Sequence, residues 1–325
     1  QPLFDYSCVI EGQAVVNGVT GGPIQQVRIS RTAGYFNGAG LVVGTGASLN
    51  LNSNTVAADL VVGDNVGTAG ALIVKNGGQV FIDAPNPNFG GLLIGAFSAP
   101  VDTPLNFFGQ PQASTTVSIL DGGAITVNKP AGSLVGSAVA VGRALGSNSS
   151  LYLDGGIGDF GNPALGATLT TTGNLSIGRE GTGAVSLFRH ATVNAGITYM
   201  SVISPTGQST LDVGFRSTLN GSVIAGIGLN PTTGLGDPNS TAHGTAVIHV
   251  QNEGFLNGMV TLGKGGTLYG SGQVGGVSNF GGLVSPGNSP GTLSIGDGGF
   301  TDVGGTLVIE FGLSGFDRLL VEGPV

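Results

Sequence analysis

The chain of 325 residues carries 10 Lys and Arg against 18 Asp and Glu, a formal net charge of −8. That balance excludes an ordinary nucleic-acid binder, whose phosphate contacts need a basic stripe. Glycine fills 63 positions while hydrophobic residues reach 40%, which excludes a disordered tail, and glycine does not fall at every third place, which excludes collagen.

Taken in chain order, residues 1–36 are sparse in glycine, hold the single cysteine, Cys8, and bring Arg28 and Arg31 close together. They read as an N-terminal cap or arm, because an open end of a strand stack exposes unpaired backbone groups. One cysteine cannot form an internal disulfide, so Cys8 is either a buried small hydrophobe or a link to a second chain.

Residues 37–266 read as repeats. Two or three apolar residues closed by a glycine return as Leu41-Val42-Val43-Gly44, Leu60-Val61-Val62-Gly63, Leu92-Leu93-Ile94-Gly95, Val139-Ala140-Val141-Gly142, Leu175-Ser176-Ile177-Gly178 and Val260-Thr261-Leu262-Gly263. A second segment accompanies most copies and turns at Asn76-Gly77-Gly78 or Asp121-Gly122-Gly123. No window holds apolar residues at the helical period, and short Val, Ile, Leu and Thr runs between Gly, Asn, Asp and Ser are strands and turns. Repetition at roughly 20 to 25 residues predicts an all-β parallel solenoid whose inward apolar residues stack from coil to coil. About ten to twelve coils at one strand spacing each give a rod about 50 Å long. The glycines are expected at corners, each phrase being one strand and its corner. Val62, Ile94 and Ile177 are expected inside, where polar substitutions harm most.

Four stretches interrupt the repeat, near 96–114, 129–137, 155–171 and 227–244, and are expected as loops from one or two corners of the rod. The first contains Phe107 and Phe108, which either fold back over a coil or form a contact site for another molecule.

Residues 267–325 hold the most specific signal. Ser285-Pro286-Gly287-Asn288-Ser289-Pro290-Gly291-Thr292-Leu293 follows Leu268-Tyr269-Gly270-Ser271-Gly272 and precedes Gly305-Thr306-Leu307-Val308-Ile309-Glu310-Phe311 and Asp317-Arg318-Leu319-Leu320-Val321. This block resembles the end of the β-helix in bacterial autotransporter passengers and in the related repeat proteins sorted by PEP-CTERM signals, and the resemblance extends over about residues 40–323. It implies a right-handed parallel β-helix in a secreted, surface-associated bacterial protein. The barrel that follows a passenger and the Val-Pro-Glu-Pro sorting motif are both missing before Val325, and Gln1–Tyr6 lacks the basic start of a signal peptide, so a mature, processed chain is expected.

Catalytic chemistry is sparse. Asp121 and Asp154 each precede Gly-Gly and read as turn residues, as does His190 after Arg189. His243 and His249 are six apart, a spacing that lets them meet across a corner as two ligands of a metal, but no third ligand is evident, and the calcium-binding glycine nonapeptide is missing. No cofactor, no catalytic set and no membrane-spanning segment is expected. Asn148, Asn174, Asn220 and Asn239 open Asn-x-Ser/Thr sequons and read as corner residues. The leading expectation is an extracellular structural protein that pairs with itself into a filament, sheath or biofilm-matrix element, using the strand at Leu319, Leu320 and Val321. An adhesin that binds glycans or host surfaces through lateral loops, and a polysaccharide-acting enzyme, are the alternatives.

Overall fold

The computed structural model describes residues 7–10, 13–16, 26–29, 39–52, 59–63, 70–85, 91–95, 115–130, 137–144, 146–156, 165–202, 205–229, 236–237, 243–287, 290–313 and 315–325. Among them the protein is all-β and stacked. One coil runs Gly70–Lys75, Gln79–Asp83 and Gly91–Ile94, and the next runs Thr115–Leu120, Ala124–Asn128 and Val139–Val141, each strand lying parallel on its counterpart. Three faces result. The first is an eleven-stranded parallel sheet from Gln13–Val16 to Thr306–Leu307. Eleven coils fall within the range the repeat length implied.

Alternation along each strand sends every second side chain inward. On the first face Leu41, Leu72, Val117, Leu151, Val185, Leu211, Ile248, Leu268 and Val284 are direct cross-strand neighbours, all buried, and form one apolar column through nine coils. A second column on the third face runs from Ile29 through Val62, Ile94, Val141, Ile177, Met200 and Ala225 to Leu262. The three residues expected inside thus share one column. Each buried aliphatic contributes about 1.5–3 kcal/mol of transfer free energy, so the columns dominate the favourable side of folding.

The apolar-glycine phrase occupies more than one face. The copies ending at Gly63, Gly95, Gly142 and Gly178 lie on the third face, and their glycines have positive φ between 62° and 71°. Leu41-Val42-Val43, by contrast, pairs with Gly70–Lys75 on the first face, and Gly44 has open space around it and no positive φ. A sequence phrase records a strand and a turn, and neither identifies the face.

From Ala191–Met200 to Gln273–Asn279 the second and third faces are joined by single long strands. Ala191–Met200 pairs with Ala167–Thr171 through its first half and with Leu175–Ile177 through its second, and its register against Thr218–Ala225 shifts between Asn194 and Ile197. At that bend Asn220 donates to Asn194 (2.7 Å) and Asn257 donates to Asn220 (2.8 Å), so the Asn220 sequon serves a side-chain ladder. Asn174 is also built into the bend, its Oδ1 accepting from the Ile197 N–H at 3.3 Å.

The interruptions leave from all three corners instead of one or two. The chain departs between the third and first faces after Gly95 and again after Ala225, between the second and third faces after Pro130, and between the first and second faces after Gly156. Two boundaries also move. Ala167–Thr171, read as loop, is a strand of the second face. Lys129 is fully buried with its Nζ donating to the Ser137 carbonyl at 3.1 Å, tying together the two ends of the excursion between the second and third faces.

Segment 1–36 contributes parallel strands to the same stack. Ser7–Ile10 pairs with Gln26–Ile29, which pairs with Asp59–Val62, and Gln13–Val16 pairs with Ala39–Val43. Cys8 lies opposite Val27 on the first of these strands, and its side chain lies outside the described residues.

Candidate functional site

The C-terminal end of the stack concentrates exposed apolar side chains. The last three-sided coil is Leu283–Pro286, Thr292–Ile295 and Phe300–Asp302; Thr306–Leu307 then adds to the first face and Arg318–Val321 to the second. Among the described residues Thr306–Leu307 and Arg318–Val321 each pair along one edge only, whereas the outer edge of Phe300–Asp302 is met by Pro324, whose carbonyl accepts from Phe300 N at 2.8 Å. Leu319 and Val321 lean against the core while Leu320 points outward, half exposed. Arg318 N donates to Gly291 O and Glu322 N to Ile295 O, so by alternation the N–H groups of Leu319 and Val321 face the unpaired edge.

Between the last two strands an antiparallel hairpin, Phe311–Gly312 with Gly315–Phe316, projects from the stack. Phe311 is 82% exposed, Leu313 is fully exposed, and the Phe311 and Phe316 rings meet at 6.2 Å. Its base is fixed by Asp317, which is 3% exposed and accepts from Gly291 N (3.0 Å) and Glu310 N (3.2 Å). A Cβ at Gly287 would collide with the same carboxylate. The Ser-Pro-Gly repeat therefore supplies a close backbone seat for Asp317, which anchors the base of the apolar hairpin.

Away from this end, two polar groups stand on the outer side of the first face. Asp154 closes Asn148–Asp154 and accepts from Arg189 Nε at 2.8 Å and from Arg189 Nη2, from Gly156 N at 3.0 Å and from Tyr152 Oη at 3.0 Å. Burial pushes its carboxyl upward, but the Arg189, Gly156 and Tyr152 donors outweigh burial and leave it below the usual carboxylate value. The Tyr152 hydroxyl is raised, first by burial and then by its bond to Asp154. Two coils further on, Asp212 accepts from Gln251 Nε2 at 2.8 Å and lies 3.3 Å from His249 Nδ1, and the His249 ring stacks on Tyr269 at 4.4 Å with 4° between the planes. His249 Nε2 is shielded from water with no hydrogen-bond partner, so this Asp–His pair is not coupled to a nucleophile hydroxyl.

Asp121 has φ 46° at its corner, as a turn residue should. Asp154 differs: its turn role is combined with the ion pair, and positive φ falls instead on Arg189 (45°) and His190 (65°). His243 precedes Thr245–Val250 and contacts the Gly244 carbonyl, whereas His249 lies near the strand's far end; the extended chain between them runs roughly 15–20 Å, so no corner brings them together. Among the described residues no group of three His, Cys, Asp or Glu is positioned to hold a metal. Phe107, Phe108 and Asn239 lie outside the described residues. The hairpin, Asp317 and the His249–Tyr269 stack escaped the sequence reading; only the Phe-Gly-Leu-Ser-Gly-Phe run hinted at an apolar hairpin. Compared with protein-family models, with curated proteins and with solved structures, the chain matches none.

Proposed function

We propose that the protein is a secreted structural protein that self-associates end to end into a filament, sheath or biofilm-matrix element. The observation that carries the reading is the C-terminal end of the stack, where the strands Thr306–Leu307 and Arg318–Val321 keep an unpaired edge and Leu307, Phe311, Leu313, Phe316 and Leu320 are exposed. At the other end Ser7–Ile10 and Gln13–Val16 likewise pair along one edge only among the described residues. Parallel edges at both ends of a rod are complementary, and a head-to-tail contact that does not close on itself propagates as a fibre. The resemblance of the Ser-Pro-Gly block to secreted bacterial β-helix proteins supports the extracellular setting and the right-handed coil.

Sedimentation velocity and negative-stain electron microscopy over rising concentration test this. The expected result is a series of oligomers resolving into rods of multiplied length. Val321→Pro removes an N–H facing the unpaired edge, and Phe311→Ser with Leu313→Ser removes apolar contact; each should weaken association at least tenfold, about 1.4 kcal/mol. A parent chain that stays monomeric throughout, or variants that assemble like the parent, would overturn the reading.

A further inference from the structure

Asparagine followed by glycine is the dipeptide most prone to lose ammonia without an enzyme, because glycine, having no side chain, lets its backbone nitrogen approach the preceding carboxamide. Five such pairs occur in the chain. Those at Asn17 and Asn37 lie outside the described residues, and the other three, at Asn76, Asn220 and Asn257, meet opposite surroundings.

Asn220 and Asn257 belong to the ladder at the bend between the second and third faces. Asn220 Nδ2 donates to Asn194 Oδ1 at 2.7 Å and Asn220 Oδ1 accepts from Asn257 Nδ2 at 2.8 Å, so both ends of one carboxamide and the nitrogen end of the other are held. The glycines that follow are packed on the preceding coil: a Cβ at Gly221 would strike the Ala195 carbonyl, and one at Gly258 the Gly221 carbonyl. The backbone there cannot turn without displacing a stacked neighbour.

Asn76 has none of these restraints. It stands at the corner after Gly70–Lys75, level with Asp121 of the next coil. Asn76 and Gly77 are exposed, neither the Asn76 carboxamide nor the Gly77 N–H makes a hydrogen bond among the described residues, and a Cβ at Gly77 would meet nothing within 4 Å. Asn257 is exposed as well, so engagement and packing separate the two positions, not access to water. The turn is closed by Gly78 N donating to Lys75 O at 2.9 Å, a bond that occupies neither reacting group.

We propose that Asn76 is a site of spontaneous deamidation. The Gly77 nitrogen attacks Asn76 Cγ; the Cγ–Nδ2 bond breaks, and Nδ2 leaves as ammonia with the proton that Gly77 N gives up. Water then opens the cyclic imide at either carbonyl and leaves aspartate or isoaspartate. The fold accepts the aspartyl product, because the next coil already carries Asp121-Gly122-Gly123 at this corner, with φ 46° at Asp121 against 52° at Asn76. Isoaspartate instead lengthens the backbone of the corner by a methylene. The site follows the third of the eleven first-face strands, away from the C-terminal end that carries self-association, so either can fail without the other.

The test is peptide mapping by mass spectrometry of the full chain held for weeks at mildly alkaline pH and body temperature. Isoaspartyl methyltransferase labelling separates the two products, and a urea-unfolded sample runs alongside. In the folded chain, conversion at Asn76 should run at least tenfold faster than at Asn220 or Asn257, whereas urea should bring the three rates close together. Asn76→Gln, whose longer side chain closes the ring far more slowly, should abolish conversion at that position and keep the strand signal in circular dichroism. Conversion at Asn76 no faster than at Asn220 and Asn257 in the folded chain would overturn the proposal. So would an intact Asn76 in the folded sample once the unfolded one has converted.

Discussion

Asp154 takes a carboxylate into a site where its side chain is only 8% exposed, and three donors keep it charged there. Its folded value is depressed, so its stabilising contribution is present above the unfolded carboxyl value of about 3.9 and is lost as the pH falls through the lower folded value. Arg189 supplies the strongest of the favourable contacts, although nearly half of its side chain faces water, which screens the pair. Arg189→Gln should therefore cost only about 1 kcal/mol at neutral pH, since Gly156 N and Tyr152 Oη remain. The difference from wild type should shrink toward zero once Asp154 is protonated. Urea unfolding at pH 7 and at successively lower pH follows the difference, and a gap independent of pH throughout would show that the pair acts through packing instead of charge.

At the scale of the strand and its corner, glycines that look alike in sequence face different demands. Gly178 has φ 62°, and a Cβ there would run into the Gln208 carbonyl of the next coil. Gly46 has φ 66° with nothing within 4 Å, and Gly44 has open space and no positive φ. The three positions separate conformational strain from steric exclusion. Gly44→Ala should change stability by less than about 0.5 kcal/mol. Gly46→Ala should cost about 1–2 kcal/mol for the left-handed backbone alone. Gly178→Ala should cost about 3 kcal/mol or more, because a backbone carbonyl of a stacked coil cannot give way as a side-chain end can. Denaturant titrations of the three variants test the order, and equal losses at Gly46 and Gly178 would mean that the coils can shift apart at that corner. The sequence made the strand and the glycine readable because alternation and turn chemistry are local. It did not separate Gly44 from Gly178, since the difference lies in what the neighbouring coil places opposite each glycine, some 30 residues away in Gln208 for the latter. The same limit hid the His249–Tyr269 stack, whose members are neighbours only through strand register. Leu319, Leu320 and Val321 were legible as a strand because their run is apolar. The hairpin before them was not, its paired strands of two residues being too short to show a period.

For the molecule as a whole, the stack is a column of coils in which each coil contacts its neighbours, so its two ends are where unsatisfied surface collects. The composition adds a long-range term: a net charge of −8 along an elongated body makes rods repel one another. End-to-end association must overcome that repulsion by contacts that are mainly apolar, given Phe311, Leu313, Phe316 and Leu320 at the C-terminal end against a single flanking cation, Arg318, which lies over the Phe316 ring. Salt shortens the Debye length from about 30 Å at 0.01 M to about 3 Å at 1 M, so it weakens the repulsion while leaving apolar burial and backbone pairing intact. Assembly should therefore increase as sodium chloride rises, with the weight-average sedimentation coefficient at fixed protein concentration climbing between roughly 0.02 M and 0.5 M salt. An assembly held by ion pairs between Arg28 or other N-terminal cations and the acidic body would dissolve over the same range. A falling sedimentation coefficient would thus place the contact on charged side chains and remove the apolar end as its cause.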